Sequence, residues 1–523
     1  MPLTQRLTSL LQSLGQGLHE REEALAVTLL ATLAGQHSFL FGPPGTAKSL
    51  LARRVAAAFE QTSYFEFLMN RFSTPDEIFG PVSIQALKAD RYERRVQGYL
   101  PSAEVAFLDE LFKSSPAILN TLLTLVNERR FRNGEEMLPV PLMGVLAASN
   151  ELPEPDQGLE ALYDRFLVRL VTEPTQQWDH FATLLNQPAA DRPVTPDQPI
   201  RRDEWQGWQQ AYPSVRIGPD SLAAIRRIKA ALPDHLYISD RRWHQAAALL
   251  KASAYLCGRA ETNYSDLLLL RHVLWQEPSQ REAIQQLVVD TLAQEDHSAC
   301  HSELDALEQQ LHSLLFFEED VFDTVEFFPQ QFFFANEGAA RPDRGGFFYV
   351  QATARHEHRR RDPVHFDFYV HRSQMSSDTP FHPFDPLGPL RENVQCRFKP
   401  SGILEIRYEE QGRFEQSGFH VEPFLPPLLH RKGDPRPERD EATLATLLDA
   451  LSRQRQRLME RLDSTAAFLD DYRPRAHTPF VPAPLVTQVL TGLEAQIEAL
   501  ELALLRCDSL QSLVTPCCTL KAS

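Results

Sequence analysis

Apolar residues at Leu3, Leu7, Leu10, Leu11, Leu14 and Leu18 return every three or four positions, the spacing of one helical face. The pattern predicts helices over 3–14 and 20–34. A short apolar run at 38–41 is then cut by glycine and proline, and a helical stretch follows at 50–59. Residues 63–68 are aromatic and strand-like. Thr74-Pro75-Asp76-Glu77 reads as a helix start, with Thr74 as N-cap and Pro75 at the first helical position. Four consecutive apolar residues at 105–108 read as a buried parallel strand. A helix over 116–127 and strands over 142–149 and 167–171 follow. Strands alternating with helices in this way predict a parallel sheet. One more helix over 177–185, a Gln-, Pro- and Asp-rich linker to Pro199, and helical patterns over 201–277 complete this half.

The second half changes period twice. Ile284, Leu287, Val288 and Thr291, then Leu304, Leu307, Leu311 and Leu314, keep helical spacing. From Phe316 the chain turns aromatic and strand-like. His365, Asp367, Tyr369 and His371 alternate with Phe366, Phe368 and Val370, which puts the polar set on one sheet face and the apolar set on the core. Val394, Cys396 and Phe398 alternate likewise. Leu404, Ile406 and Tyr408 do so again after a Pro400-Ser401-Gly402 turn, which predicts an antiparallel hairpin. Helical spacing returns with Leu444, Leu448, Leu451, Leu458 and Leu462, and again with Val486, Leu490, Leu493, Ile497, Leu500 and Leu504. A small β-rich domain over 318–432 is therefore expected inside a discontinuous three-helix domain formed by 281–317 and 438–515.

Composition narrows the class. A chain of 523 residues suggests about three to four domains. Its 70 acidic against 53 basic side chains give a net charge of −17. That disfavours a general nucleic-acid binder, which needs an excess of phosphate-neutralising Lys and Arg. The six cysteines form no CxxC pair, so neither a disulfide framework nor a zinc pattern is present, which fits a reducing compartment. Cys517-Cys518 reads as a frayed tail. The N-terminus lacks the continuous apolar region of a signal peptide. The longest apolar stretch, 24–34, is too short for a bilayer. A cytoplasmic protein without a membrane span is expected.

Candidate chemistry starts at Gly42-Pro43-Pro44-Gly45-Thr46-Ala47-Lys48-Ser49, between a strand and a helix. That context is what a phosphate-binding loop requires. Backbone N–H groups of such a loop form an anion nest, and the next helix adds its positive dipole end. Lys48 would reach the β- and γ-phosphates, and the Ser49 hydroxyl would hold Mg²⁺. Ala47 stands where the strict pattern has glycine; with helical φ/ψ its Cβ would cost little. The alternative is a proline-rich turn before a core helix. Asp109 and Glu110 end the strand at 105–108, at the sheet edge where ligands bind. Asp109 would hold Mg²⁺ and Glu110 would polarise the attacking water.

Other positions carry weaker signals. Asn150 ends the strand at 142–149, where its amide could orient that water or cap a turn. Arg165 sits at a helix-to-strand corner and is read as exposed, free to reach a neighbouring subunit or else paired with Asp164 or Glu160. Ser239-Asp240-Arg241-Arg242-Trp243 puts two arginines in a first helical turn, where the dipole disfavours cations. An anion nearby, or a surface ion pair, accounts for them. Gly17-Leu18 could line an adenine pocket or simply join two helices. The polar segment between Gly80 and Pro101, with Lys88, Arg91, Arg94 and Arg95, reads as a protruding hairpin, either a solvated face or a substrate grip. Asn133-Gly134 is a strong hairpin signal. His365, Asp367 and His371 would lie about 7–13 Å apart along a strand, too far for one ion. Only His356-Glu357-His358 with another strand could ligate, so a polar docking face is the preferred reading. Arg359-Arg360-Arg361 suits a solvated loop or an acidic partner.

Together the stretches GPPGTAKS, RFSTPDEIFGPVSIQALK, FLDE, PAILNTLLTLVNERRFRNG, AASNELPE, LEALYDRF and SDRRW resemble the AAA+ ATPases of the MoxR family, and most nearly its RavA branch. They cover residues 1 to 276 in the family's order, and alanine before the lysine is usual there. The resemblance implies a multidomain chain: an α/β P-loop AAA+ core over 1–190, an all-α lid over 200–277, then the three-helix domain carrying a small antiparallel β domain that docks partners. It implies ATP or ADP bound by Gly42 to Ser49 with Gly17 and Leu18 at the base, and Mg²⁺ held by Ser49 and Asp109. Glu110, Lys48 and Asn150 would act in hydrolysis, Arg165 as a finger in trans and Arg241 as the lid arginine, with Arg242 the second candidate for that place. The segment 72–101 and the hairpin at Asn133-Gly134 match two inserts that face the channel of a hexamer. A homohexamer, a von Willebrand factor A-domain partner and a client protein complex are implied, with chaperone-like remodelling as the activity. Two other functions compete. A nucleotide-gated adaptor acting through the β domain is opposed by the intact Asp109-Glu110 pair. A DNA-dependent motor is opposed by the acidic charge.

Overall fold

The computed structural model describes residues 2–518 apart from 154–158, 187–193, 295–297, 327–344, 357–363, 376–377, 400–403, 411–412, 415–418 and 422–425. The chain divides into two compact units, 1–297 with 457–506, and 298–456 with 507–523.

In the first unit α1 (Leu3–Leu14) buries Leu7, Leu10 and Leu14, and α2 (Glu22–Leu33) is buried continuously from Leu25 to Leu33. There follow β1 (His37–Phe41), α3 (Lys48–Ala57), β2 (Tyr64–Leu68), α4 (Pro75–Phe79), α5 (Ile84–Lys88), β3 (Val105–Asp109) and α6 (Pro116–Glu128). The hairpin β4 (Arg130–Asn133) and β5 (Glu136–Pro139) precedes β6 (Gly144–Ser149), α7 (Glu160–Tyr163) and β7 (Phe166–Val171). Five strands make one parallel sheet in the order β2-β3-β6-β1-β7. Successive residues feed opposite faces, as a pleat of period two demands. Leu40, Val105, Phe107, Leu146 and Ala148 join the core that holds Leu29 and Leu51 of α2 and α3. Phe39, Ala106, Leu108, Val145 and Ala147 join the other, with Ile118 and Leu122 of α6. With both faces covered, the strands read as unbroken apolar runs.

The segment between Gly80 and Pro101 is not a regular hairpin. It contains α5 and closes through a single bridge between Val82 and Arg94. Gly80, at φ +96, approaches the chain so closely that a Cβ there would lie 1.9 Å from Arg95 O. Two of its basic side chains are paired, Arg91 with Glu93 at 2.9 Å and Arg94 with Asp76. The tip of the β4–β5 hairpin docks on this segment: Asn133 Oδ1 accepts from Arg94 N (2.6 Å) and its Nδ2 donates to Arg94 O (3.1 Å).

A helical region completes the first unit: α8 (Trp178–Asn186), α9 (Arg202–Ala211), α10 (Pro219–Ala231), α11 (Asp240–Leu256), α12 (Tyr264–Leu267) and α13 (Arg281–Ala293). The second unit contains α14 (Ser298–Leu315), then β8 (Val321–Phe322), β9 (Phe347–His356), β10 (Val364–His371), β11 (Val394–Phe398), β12 (Leu404–Glu410), β13 (Arg413–Phe414), β14 (Phe419–Val421) and β15 (Leu428–His430). β9 pairs antiparallel with β10 and β14, and β11 with β12. Val350, Phe368, Val370, Val394, Cys396, Phe398, Leu404 and Ile406 form its small core. His365 is exposed, and Asp367 and Tyr369 are half-buried on the other face. No cluster of three or more acidic, histidine or cysteine side chains placed to hold a metal ion occurs among the described residues. The Pro400-Ser401-Gly402 turn, Glu357, His358 and Arg359 to Arg361 lie outside the described residues, as do the side chains of Cys517 and Cys518.

Two long helices, α15 (Glu441–Tyr472) and α16 (Ala483–Cys518), contribute to both units. Leu444, Leu451 and Leu458 are buried, as the spacing predicts. Along α16 the buried line is Val489, Leu493, Gln496, Leu500, Ala503, Cys507, Leu510 and Val514, alternately four and three apart. Leu490, Ile497 and Leu504 are only half-buried. A 3.5-residue repeat takes small and polar residues into the seam, and a stripe drawn through large apolar residues alone misses them. No helix among the described residues is long and apolar enough to cross a membrane.

Candidate functional site

The strand order puts the carboxyl ends of β3, β6 and β1 side by side, the edge where open α/β sheets bind ligands. The loop after β1 begins while the sheet still holds its backbone. Gly42 N–H donates to Ser149 O (3.2 Å) and Thr172 N–H to Phe41 O (2.7 Å). A Cβ on Gly42 would lie 2.1 Å from Thr172 O, so this approach admits glycine alone. Thr46 Oγ1 braces the loop, 3.0 Å from both Pro43 O and Thr172 Oγ1. Pro43, Pro44 and Gly45 are exposed at the loop's crest.

Ala47 corrects an expectation. It is not helical but left-handed, at φ 64 and ψ 27, and forms the N-cap of α3. A left-handed residue here turns successive N–H groups towards one concavity, the geometry of an anion nest. For alanine the conformation costs roughly 1–2 kcal/mol. Lys48, 6% exposed, folds its Nζ back on Gly42 O (2.7 Å) and Pro43 O (2.9 Å). Burial pulls its pKa down, opposed by Asp109 and Glu110. Ser49 is half-buried, and its hydroxyl has no hydrogen-bond partner among the described residues.

At the end of β3, Asp109 Oδ1 accepts from Glu110 N–H (3.0 Å). Burial pushes the Asp109 carboxyl up, while that hydrogen bond and Lys48 pull it back. Glu110 is left-handed too, at φ 53. Its Oε2 is buried without a hydrogen bond, 3.3 Å from Lys113 Nζ. At the end of β6, Asn150 Oδ1 is likewise buried and unpartnered. Lys48, Asp109, Glu110 and Asn150 thus share one edge. An ammonium resting on loop carbonyls, the Ser49 hydroxyl, the Glu110 carboxylate beside Lys113 and the unpartnered Asn150 oxygen form a donor set that fits a magnesium–nucleotide complex.

Gly17 is left-handed at φ 76, and Leu18 is buried. Their turn is tied to the loop helix by Arg54 Nη2, which donates to Gln16 O (3.2 Å). Arg165 lies at the α7–β7 corner and is half-buried rather than exposed, because Tyr163 and Phe166 on either side pack into the core. Its Nε is buried without a hydrogen-bond partner. The two lid arginines diverge. Arg241 Nη2 donates to Asn127 Oδ1 of α6 (3.1 Å). Arg242 is buried, and its guanidinium is filled by main-chain carbonyls.

The sequence reading missed Arg21. This buried side chain donates from Nε to Thr46 O (3.2 Å) and also binds Glu20 O and Glu173 O. It ties the Gly17-Leu18 turn to the phosphate loop and to the chain beyond β7. Its nearness to that turn is the signal the sequence offers.

Residues 5–199 match the family model for the MoxR domain in the MoxR-vWA-beta-propeller ternary systems, and residues 220–288 match an AAA lid domain. Two uncharacterised proteins of Methanocaldococcus jannaschii are similar. One is 40% identical over 274 residues, 52% of this chain and 70% of its own length. The other is 40% identical over 263 residues, 50% of this chain and 69% of its own. A solved structure from Cytophaga hutchinsonii overlaps 56% of this chain and 95% of its own with a TM-score of 0.46 and 16% identity.

Proposed function

The chain belongs to the MoxR family of AAA+ ATPases, and from that premise we propose that it hydrolyses ATP with Mg²⁺ as a homohexameric ring that remodels a client protein complex. The observation that carries the proposal is the meeting of Lys48, Asp109, Glu110 and Asn150 at the carboxyl ends of three adjacent strands. The loop from Gly42 to Ser49 cradles the phosphates with its backbone N–H groups, and Lys48 leaves its two carbonyls to reach them. Ser49 and Asp109 would hold Mg²⁺, which would supply charge neutralisation at the phosphates. Glu110, with a buried oxygen already free of hydrogen bonds, polarises water, and Asn150 orients it. Gly17 and Leu18 meet the base. Arg241 reads the nucleotide of its own subunit, and Arg165 that of its neighbour.

The finer assignment to the RavA-like branch draws support from the order of elements after the lid: a helix, a β-rich segment, then two long helices. In this reading the chain comprises a core over 1–190, a lid over 200–277, a triple-helical domain over 281–317 and 438–515, and a docking domain over 318–432. The matched family model is described by MoxR–vWA systems, which supports a von Willebrand factor A-domain partner. The deciding test is Mg·ATP hydrolysis per subunit against protein concentration, for wild type and Glu110→Gln. Specific activity that rises with concentration and disappears in the variant is expected. A flat trace near background, insensitive to the variant, refutes the motor and favours the nucleotide-gated adaptor.

A further inference from the structure

The corner that carries Arg165 is tied to the helical region by several buried side chains. Arg242 enters it from the first turn of α11, where its own N–H is held by the N-cap, Ser239 Oγ (3.2 Å). The guanidinium then reaches both sides of a joint. Nε donates to Val273 O (2.7 Å), on the helical side. On the corner side, Nη2 donates to Leu167 O (2.7 Å), and Nη1 to Asp164 O and Phe166 O, both at 3.3 Å. The Asp164 carboxylate lies 3.5 Å from Nη1. Two further side chains cross the same joint. Arg169 donates to Trp275 O and lies over the Tyr163 ring at 3.9 Å, and Tyr163 OH donates to Gln276 O (2.8 Å). Arg242 is 2% exposed, so no water replaces these bonds if they break. Between these ties sits Arg165, whose N–H donates to Leu162 O (3.0 Å) and whose buried Nε has no hydrogen-bond partner among the described residues. Beside Arg242 sits Arg241.

We propose that Arg242 is a positioning residue: its buried guanidinium fixes the corner bearing Arg165 to the start of the helix bearing Arg241, so that the lid position set by one subunit's nucleotide decides whether its finger reaches the neighbour's site. The inference rests on the trans role of Arg165 given above. It goes beyond that role in assigning a physical link between the two arginines. A lid that rotates on nucleotide exchange must carry the corner with it or leave several buried carbonyls without donors.

Mixed rings of full-length chains test it. Wild-type subunits are doped with Glu110→Gln, with Glu110→Gln plus Arg165→Ala, or with Glu110→Gln plus Arg242→Lys. The Glu110 change silences the doped subunit's own site, so the hydrolysis that remains is at wild-type sites. At ninefold excess of doped subunits, about one wild-type site in ten still faces a wild-type finger. The Arg165 and Arg242 mixtures are both expected to fall roughly tenfold below the Glu110→Gln mixture. The Arg242→Lys subunit gives up some buried hydrogen bonds and should melt lower, but it should keep ATP binding and assembly, which separates positioning from loss of fold. If that variant does not assemble, Asp164→Asn loosens the same joint and should shift the curve in the same direction by less. An Arg242→Lys mixture that follows Glu110→Gln alone, beside a steep Arg165→Ala mixture, overturns the link. If the Arg165→Ala mixture is also shallow, the trans role itself fails and the link falls with it.

Discussion

Ala47 gives the sharpest local test, because its backbone contradicts its side chain. At φ 64 and ψ 27 the alanine Cβ crowds the following carbonyl, at a cost of roughly 1–2 kcal/mol. Glycine at this position removes that strain. It also gives the unfolded chain more freedom, which returns about 0.5–1 kcal/mol. Ala47→Gly should therefore stabilise the first unit by about 0.5–1 kcal/mol. Valine, branched at Cβ, fits the left-handed region worse and should destabilise by about 1–3 kcal/mol. The nucleotide-binding nest needs the same backbone, so Ala47→Gly should leave the ATP dissociation constant unchanged. Ala47→Val should raise it about tenfold for each 1.4 kcal/mol needed to restore the loop. All five tryptophans, Trp178, Trp205, Trp208, Trp243 and Trp275, lie in the first unit, so intrinsic fluorescence during urea unfolding follows that unit alone. A fluorescent ATP analogue supplies the affinity. Destabilisation by glycine, or valine behaving like wild type, would refute a left-handed residue 47.

Two further outcomes follow from buried contacts. His37 bridges α6 and β6, its Nδ1 accepting from Val145 N–H (3.0 Å) and its Nε2 3.3 Å from Val126 O. Burial, with Arg129 nearby, lowers its pKa from 6.5 to about 3. The unfolded chain therefore takes up the proton first. This stability is fully present above pH 6.5 and is lost as pH falls towards 3, about 1.4 kcal/mol of it by pH 5.5. His37→Gln should flatten the fall in urea midpoint between pH 7.5 and 5.5 by that amount; an unchanged slope counts against a neutral buried His37. At Gly492 a Cβ would lie 2.5 Å from Ala293 Cβ and 2.8 Å from Ala293 O. Gly492→Ala gains about 1 kcal/mol of helix propensity but overpacks by about 1–3 kcal/mol. A net loss near 1 kcal/mol is expected, relieved in part by adding Ala293→Gly, which removes the Cβ contact but leaves the carbonyl, and a cycle with no coupling between the two would exclude the Cβ contact.

Much of the site was readable from the chain because its signals are local. A phosphate loop, a run of apolar residues and the polar residues that end it need no knowledge of distant neighbours, and Lys48, Asp109, Glu110 and Asn150 do lie together at one sheet edge. The apolar alternation of the β-rich segment was equally direct, since Phe368, Val370, Val394, Cys396 and Phe398 are buried as their period requires. Less direct were the positions decided by what packs against them. The seam of α16 passes through Gln496, Ala503 and Cys507 because a facing surface accepts them, whatever their hydrophobicity.

The sequence by itself determined the parallel sheet, the loop and the order of its candidate chemistry, because period and composition act over a few residues. Only the tertiary structure decided how Ala47, Arg21, Arg165, Arg241 and Arg242 are used. Consecutive helical residues point about 100° apart, so Arg241 and Arg242 cannot share a fate. Which of them enters the core depends on the carbonyls of Asp164, Phe166, Leu167 and Val273, brought to the helix from far along the chain. The same holds for Arg21, whose partners Thr46 and Glu173 meet it only once β1 and β7 are paired. A buried guanidinium is stable where several acceptors converge, and that convergence is a property of the fold, not of any short stretch of chain.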